Sequence, residues 1–381
     1  MRTLVISDLH LGSSRQSDLL RRAELREPLL AALADVDRLV ILGDALELRE
    51  AAHRDVAAIA GPYFDAVGQA LGEDGELILV GGNHDHGLVA GWIDGRLQTE
   101  PSGFLGLEQR IEPRDASPLA ARLAEQAAPA RVSMAYPGVW LRDDVYAIHG
   151  HYSDLHTTVP TFERLAAGAM ARWVARLPAG ALTADDYEAV LAPLYAWMSS
   201  LAQRADHSAL TAGAGASSRA WVALTGEGRR RHRVRAAALG AGYAVAVAAL
   251  NRAGVGPITR DLSGRSLRRG GLLGMGEVLG RLGVRAPYVL FGHTHRSGPW
   301  PRDDPSEWTT AAGTRLLNTG SWVYQPHFLT GTPNDSPYWP GTAIVLDDDD
   351  GEPPRLVRLL GDRAHAELRP PVSPGAERSQ G

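Results

Sequence analysis

Residues 76–86 read ELILVGGNHDH: a short, mostly apolar run, two glycines, then an amide, an imidazole and a carboxylate in succession. A turn after a buried strand needs one or two small or polar residues, and it does not need Asn83, His84 and Asp85 together. The pattern recurs four times. Thr3-Leu4-Val5-Ile6 leads into Ser7-Asp8-Leu9-His10, and Leu39-Val40-Ile41-Leu42 into Gly43-Asp44. Val145-Tyr146-Ala147-Ile148 leads into His149-Gly150-His151, and Tyr288-Val289-Leu290-Phe291 into Gly292-His293-Thr294-His295.

Apolar runs of this length, bounded in this way, predict strands buried on both faces. Helical periodicity at about 17–34 and 55–71 separates the first three, so right-handed crossovers and parallel strands are expected. Ligands of such sheets collect at the carboxyl ends of the strands, where all five polar clusters fall, on one edge of one sheet. Runs around 314–318, 342–347 and 355–360 predict three more strands, in a second sheet. The segment 152–285, rich in Ala, Arg and Leu, predicts a helical insertion or cap with Trp173, Trp197 and Trp221 in its core. The expected division is therefore a core in two parts, 1–151 and 286–365, interrupted by that insertion and followed by a disordered tail at 366–381. The run Asp347–Asp350 reads as a solvated turn.

Composition narrows the chemistry. The 381 residues carry a net charge of −5, which offers no general attraction to nucleic acid or anionic membrane. There is no cysteine, which removes disulfides and thiolate ligands; all 39 basic residues are Arg, which removes Schiff-base and P-loop lysines. The start, MRTLVISDLHLG, lacks the charged and apolar regions of a secretory signal and enters a strand at once, so a cytoplasmic location is expected.

Asp8, His10, Asp44, Asn83, His149, His293 and His295 together offer two carboxylates, one amide oxygen and four imidazoles. A divalent ion takes about four to six ligands including water, so seven protein ligands with one shared suit two ions better than one. The bridge would be a carboxylate, Asp44 or Asp8. Two ions about 3.5–4 Å apart clamp an in-line phosphoryl displacement and bring the pKa of bound water down toward about 7. His84, beside Asn83 and not needed as a ligand, is the natural proton donor to the leaving group, a role worth about 10²–10⁴ in rate. Singly, Asp8-Leu9-His10 is more often a strand-end turn, and Gly43-Asp44 says almost nothing. The joint occurrence of five motifs, each at a strand end, carries the argument.

Asp8-x-His10, Gly43-Asp44, Gly82-Asn83-His84-Asp85, His149 and Gly292-His293-x-His295 resemble the signature of the calcineurin-like metallophosphoesterases, over most of residues 1–151 and 286–360. The resemblance implies an α/β fold, a four-layer αββα sandwich of two central sheets flanked by helices, here with a mainly helical insertion. It implies one ion on Asp8, His10, Asp44 and His295 and a second on Asp44, Asn83, His149 and His293. Asp44 then bridges, and His84 is the catalytic histidine, oriented by Asp85. The string SDLHLG, Glu47, Arg296 and Asn318-Thr319-Gly320-Ser321 are similar to the UDP-2,3-diacylglucosamine pyrophosphatases. Those enzymes usually carry Arg at the position of His84 and Asp at that of His151. Protein serine/threonine phosphatases differ more, since Gly43-Asp44 is followed here by Ala45-Leu46-Glu47-Leu48 and His84 by Asp85.

The expected cofactors are two divalent ions, from manganese, iron, zinc, cobalt or nickel, with manganese favoured. The expected substrate is a phosphorylated small molecule or a lipid-linked phosphate, contacted by His151 and Arg296. Glu47 either orients a ligand histidine or begins a helix. The run Arg229–Arg235 before the apolar stretch Ala236–Leu250 is either a solvated helix end, the favoured reading, or a contact for anionic lipid. No obligate protein partner is inferred. Two rival functions remain: a catalytically silent scaffold on the same fold, and a DNA exonuclease, which the net charge disfavours.

Overall fold

The apolar runs form strands: β1 Arg2–Ile6, β2 Arg38–Leu42, β3 Glu76–Val80, β6 Val145–Ile148 and β7 Tyr288–Phe291. In the computed structural model, residues 1–98, 103–204, 245–261, 263–329, 332, 335–348 and 351–370 are described. Arg229–Arg235, Trp221 and Ala236–Gly242 lie outside the described residues, as do 349–350 and 371–381.

β1, β2 and β3 pair in parallel, with Leu4 opposite Leu39 and Ile41 opposite Leu79. Helices α1 (Ala23–Leu33) and α2 (His53–Leu71) provide the two crossovers. β6 and β7 also pair in parallel, Ala147 opposite Leu290, but elsewhere. The connecting element is β5, Arg131–Arg142, a 12-residue strand between them. Its first half pairs in parallel with β3 and its second half pairs antiparallel with β6. A short β4, Glu108–Ile111, lies antiparallel to β5. β8 (Arg315–Asn318) extends the β6–β7 half, whereas β9 (Thr342–Asp347) pairs antiparallel with β1 and β10 (Arg355–Arg358) antiparallel with β9.

The five strands lie in one continuous sheet whose two halves join through β5. One expectation is corrected: of the three later runs only β8 joins the β6–β7 half, and the other two lie beyond β1. Side-chain alternation explains how the halves stack. Val5, Val40, Leu42 and Ile78 from one half share a buried cluster with Ala147, Leu290 and Leu317 from the other. The alternate positions Leu4, Ile6, Leu39 and Ile41 pack toward the helices instead, as do Tyr146, Ile148 and Phe291. The result is an α/β fold with helices on the outer faces of the strands, and both sets of strand ends converge.

Between β6 and β7 the described residues are helical: a short turn at His151–Leu155, then α6 (Phe162–Met170) and α7 (Ala184–Arg204), with α8 (Gly264–Leu282) leading into β7. The helices at Ala90–Leu97, Pro113–Ala116 and Pro118–Gln126, here α3, α4 and α5, precede β5. Among the described residues, Trp173 and Trp197 are 59% and 54% exposed, contrary to the expected core position. The chain past residue 365 is ordered at its beginning: His365–Leu368 forms a helical turn with Leu368 buried. Arg22 holds it by donating to the carbonyls of Glu367 and Arg369.

Candidate metal centre

All seven candidate ligands meet in one place, and the backbone is bent to bring them there. Asp8, His10, Asp44, His293 and His295 all have positive φ, between 47° and 66°. Non-glycine residues enter this left-handed region at a cost of about 1–3 kcal/mol each, and they stay there only where the surroundings enforce it. The approach is also tight around Gly43 and Gly82: a Cβ on the first would overlap the His149 ring, and on the second the Asp44 carboxylate.

Three of the four imidazoles are fixed by a partner on the outer nitrogen. His10 Nδ1 is 3.0 Å from Glu47 Oε2, and His149 Nδ1 donates to the Leu42 carbonyl at 2.9 Å. His293 Nε2 is 2.9 Å from Asp154 Oδ1. Such contacts set the tautomer and leave the other ring nitrogen as a lone pair facing inward.

The inward atoms are mutually repelling unless a cation lies among them. Asp8 Oδ1 is fully buried without a hydrogen-bond partner, 3.3 Å from His295 Nε2. That nitrogen is 3.1 Å from His10 Nε2, which is 3.6 Å from Asp44 Oδ2. On the other side, Asn83 Oδ1 and Asp44 Oδ2 lie 3.1 Å and 3.3 Å from His149 Nε2. Hydrogen bonding alone would turn the Asn83 amide, so that its nitrogen donated to Asp44, His149 and His293 and its oxygen accepted from Arg49 Nη1 at 2.9 Å. A cation held at the convergence point would reverse that preference, because it would need the oxygen inward. Asp8 with His10 and His295, and Asp44 with His149 and His293, each form a group with metal-ligand spacing. His10, Asp44 and His84 form a third.

The electrostatics show the same demand for positive charge. Burial alone would lower the pKa values of His10 and His149. Hydrogen bonding to Glu47 and the charges of Asp44 and Asp8 nevertheless push His10 up to about 9, and Asp44 above all pushes His149 up to about 10. Burial likewise works to raise Asp44, yet His149 and its neighbours hold it well below the usual carboxylate range. The donor set of nitrogen and carboxylate oxygen, with no sulfur, fits divalent first-row metals.

Three expectations about side chains are corrected. Asp85 does not touch the His84 ring. Its carboxylate is fully buried and accepts from the backbone N–H groups of Gly82 (2.7 Å) and Ala45 (2.7 Å), tying the β2 and β3 loops together. Glu47 orients His84 instead, at 2.7 Å from its Nδ1. Glu47 is thus a single buried carboxylate serving His10 and His84, the first of its two open readings. His151 is fully buried behind His149, with Tyr136, Tyr152 and Tyr195 around it, and cannot meet substrate there. Arg296 lines the cleft, but its guanidinium makes a paired contact with Asp303, at 3.0 and 2.6 Å, and lies over the Trp308 ring. It is already neutralised, so a phosphate-clamp role is not what its contacts describe.

Two further carboxylates were not found from the sequence. Asp154 lies five residues after His149 and buttresses His293. Glu188, buried on α7, accepts from Tyr136 (2.5 Å) and Tyr152 (2.6 Å) and lies 2.9 Å from His86 Nε2. Nothing in the local pattern around either marks it, because each acts across the insertion boundary. His84 itself is the more open member, with 27% of its side chain exposed, on a cleft of about 480 Å³.

The sequence pattern of the calcineurin-like phosphoesterase family matches residues 1–201, just over half of the chain. The match covers β1 to β6 and does not distinguish the UDP-2,3-diacylglucosamine pyrophosphatases within the family. No curated protein matches the chain. Among the described residues, no helix is long and apolar enough to cross a membrane.

Proposed function

This chain belongs to the calcineurin-like phosphoesterases, a family of metal-dependent hydrolases, and on that premise we propose that it hydrolyses phosphate esters or anhydrides at a dinuclear centre with His84 as general acid. The observation that carries the reading is the convergence of the unpartnered Asp8 Oδ1, the inward-facing Asn83 Oδ1 and ring nitrogens of His10, His149, His293 and His295 around the shared Asp44. Asp8, His10, Asp44 and His295 would hold one ion and Asp44, Asn83, His149 and His293 the other. Bound there, two divalent ions supply charge neutralisation for the phosphoryl oxygens and an ionised water at neutral pH.

The chain's own groups do the rest. Asp44 holds the His84 loop through its Oδ1, which accepts the His84 backbone N–H at 2.8 Å. Glu47 takes the Nδ1 proton of His84 as a hydrogen bond, which leaves Nε2 to donate a proton to the departing oxygen. Tight burial of Asp8, Asp44 and His149 excludes water from the back of the site and strengthens its electrostatics. Manganese as the favoured ion, a phosphorylated small molecule or lipid-linked phosphate as substrate and a cytoplasmic location complete the reading.

The test is hydrolysis of a generic phosphodiester and a generic phosphomonoester by manganese-loaded protein, with His84→Ala alongside. Turnover that falls on His84→Ala with metal content retained supports the reading. No hydrolysis across a broad panel of esters and anhydrides, with two ions bound, would overturn it in favour of a silent scaffold.

A further inference from the structure

The stretch Asn318-Thr319-Gly320-Ser321 supplies no candidate ligand, yet Asn318, Thr319 and Ser321 are no more than 2% exposed. It begins at the last residue of β8 and bonds to the loops after β1 and β7. Asn318 serves the β7 loop. Its Nδ2 donates to the Gly292 carbonyl at 2.8 Å and to Thr294 Oγ1 at 3.0 Å, on either side of His293. Its Oδ1 accepts the Gly320 N–H at 2.9 Å, which fixes the orientation of the amide. Thr319 serves the β1 loop: its Oγ1 lies 2.5 Å from Ser7 Oγ, and Ser7 Oγ donates to Asp8 Oδ2.

Each hydroxyl has one proton to give, and that fixes the direction of the series. The Ser7 proton goes to Asp8, because a carboxylate is a stronger acceptor than the Gly320 carbonyl, which is 3.3 Å away. The Ser7 oxygen then accepts from Thr319. The alternative acceptor for Thr319, the Phe291 carbonyl, is 3.3 Å off and already takes the Thr319 backbone N–H. Hydrogen bonds in such a series polarise one another. The series ends on one oxygen only. Asp8 Oδ2 accepts from Ser7 and, at 2.9 Å, from the His293 backbone N–H, whereas Oδ1 is buried with no partner. Donors that merely satisfied a buried carboxylate would be shared between its oxygens. Here they crowd onto Oδ2 and leave Oδ1 bare, 3.3 Å from His295 Nε2. The packing is tight enough to hold this arrangement: a Cβ on Gly292 would overlap both Ser7 Oγ and Asp8 Oδ2.

Resting on the proposed dinuclear reading, we propose that Ser7 and Thr319 are positioning residues for one ion, the one on Asp8, His10, Asp44 and His295. Their hydroxyls hold the Asp8 carboxylate so that Oδ1 alone is free to face that ion. Neither hydroxyl bonds to Asn83, His149 or the His293 ring, so loss of the pair weakens one ion and spares the other. Asn318 acts on a different scale, because the loop it holds carries one candidate ligand of each ion, His293 and His295.

The experiment measures manganese binding to the full chain by calorimetric titration and locates the ions by anomalous diffraction at limiting manganese. It compares wild type with Ser7→Ala, Thr319→Val and Thr319→Ser, each checked for folding by circular dichroism. The ion on Asp8, His10 and His295 should weaken about 10–100-fold in Ser7→Ala and about tenfold in Thr319→Val, the range for losing a group that orients a metal ligand. The peak beside Asn83, His149 and His293 should keep its wild-type occupancy. Thr319→Ser retains the hydroxyl and should bind as wild type does. A packing role predicts the reverse order, because valine keeps the shape of threonine and serine does not. Equal weakening of both ions, wild-type binding in Ser7→Ala and Thr319→Val, or weaker binding in Thr319→Ser than in Thr319→Val would overturn the inference and leave the phosphoesterase reading standing. Fewer than two ions in the wild type would remove the dinuclear reading, and the inference with it.

Discussion

The strand-end loops and the helical insertion both serve the centre, and they do so by opposite means. The loops carry the candidate ligands on strained backbone: among the described residues, five of the seven non-glycine positions with positive φ are Asp8, His10, Asp44, His293 and His295. The insertion contributes support from ordinary helical backbone. From α7, Glu188 reaches His86 on the β3 loop, Tyr136 on β5 and Tyr152 after β6. From the turn that begins the insertion, Asp154 reaches His293 on the β7 loop. On the proposed reading the core makes the chemistry, and the insertion holds the candidate ligand loops against one another. A site that stores strain in its ligands needs such outside enforcement, because nothing in isolated loops would keep five residues in the left-handed region.

This contrast can be broken by mutation. The largest effect is expected from Asp44→Asn, because Asp44 is common to both proposed ions: metal content measured by inductively coupled plasma spectrometry should fall for both, and activity with it. Loss of only one ion would assign the bridge to another residue. His84→Ala should come next, lowering kcat by about 10²–10⁴ while bound metal stays at the wild-type level. A fall in metal content instead would make His84 a ligand, as its grouping with His10 and Asp44 allows.

Substitutions on the insertion side should act more weakly and on metal first. Asp154→Asn should weaken one ion by about 10–100-fold, the usual effect of removing a carboxylate that orients a ligand histidine, and leave the other ion unchanged in a calorimetric titration. Equal weakening of both would mean that the insertion merely supports the fold. The smallest effect belongs to Glu188→Gln, and it should depend on pH. Burial works to raise the Glu188 pKa, but His86, Tyr136 and Tyr152 hold it below its ordinary 4.5. A depressed folded-state value gives stability that is fully present above about pH 4.5 and is lost as pH falls through the lower folded-state value. The difference in Tm between wild type and Glu188→Gln should therefore be visible at pH 7 and shrink as pH falls below 4.5. A difference that is constant with pH would show that Glu188 acts through packing rather than charge.

The same contrast explains what the sequence made legible. Each candidate ligand follows a buried strand in the chain, so apolar run, glycine and polar residue stand side by side, and local pattern sufficed to find them. The parallel β1–β2–β3 order was readable for the same reason. The long β5 was not: Arg131–Arg142 mixes Ser133, Tyr136, Pro137 and Gly138 into its run, and its two halves pair with different partners. Asp85 looked like an orienting group because it adjoins His84, but adjacent residues on an irregular loop need not face each other, and its carboxylate turned to the backbone. Glu47 lies 37 residues from His84 and does the orienting. His151 and Arg296 stand beside His149 and His295 in the sequence, and that proximity alone suggests a contact with substrate. The buried aromatic surround of His151 and the Asp303 partner of Arg296 come from distant segments and are visible only once the chain is folded.

The most direct test is anomalous diffraction from crystals of the manganese-loaded protein. The account predicts two peaks about 3.5–4 Å apart, on either side of the Asp44 carboxylate, one within bonding reach of Asp8, His10 and His295 and the other of Asn83, His149 and His293. A single peak, or two peaks that do not share Asp44, would contradict it.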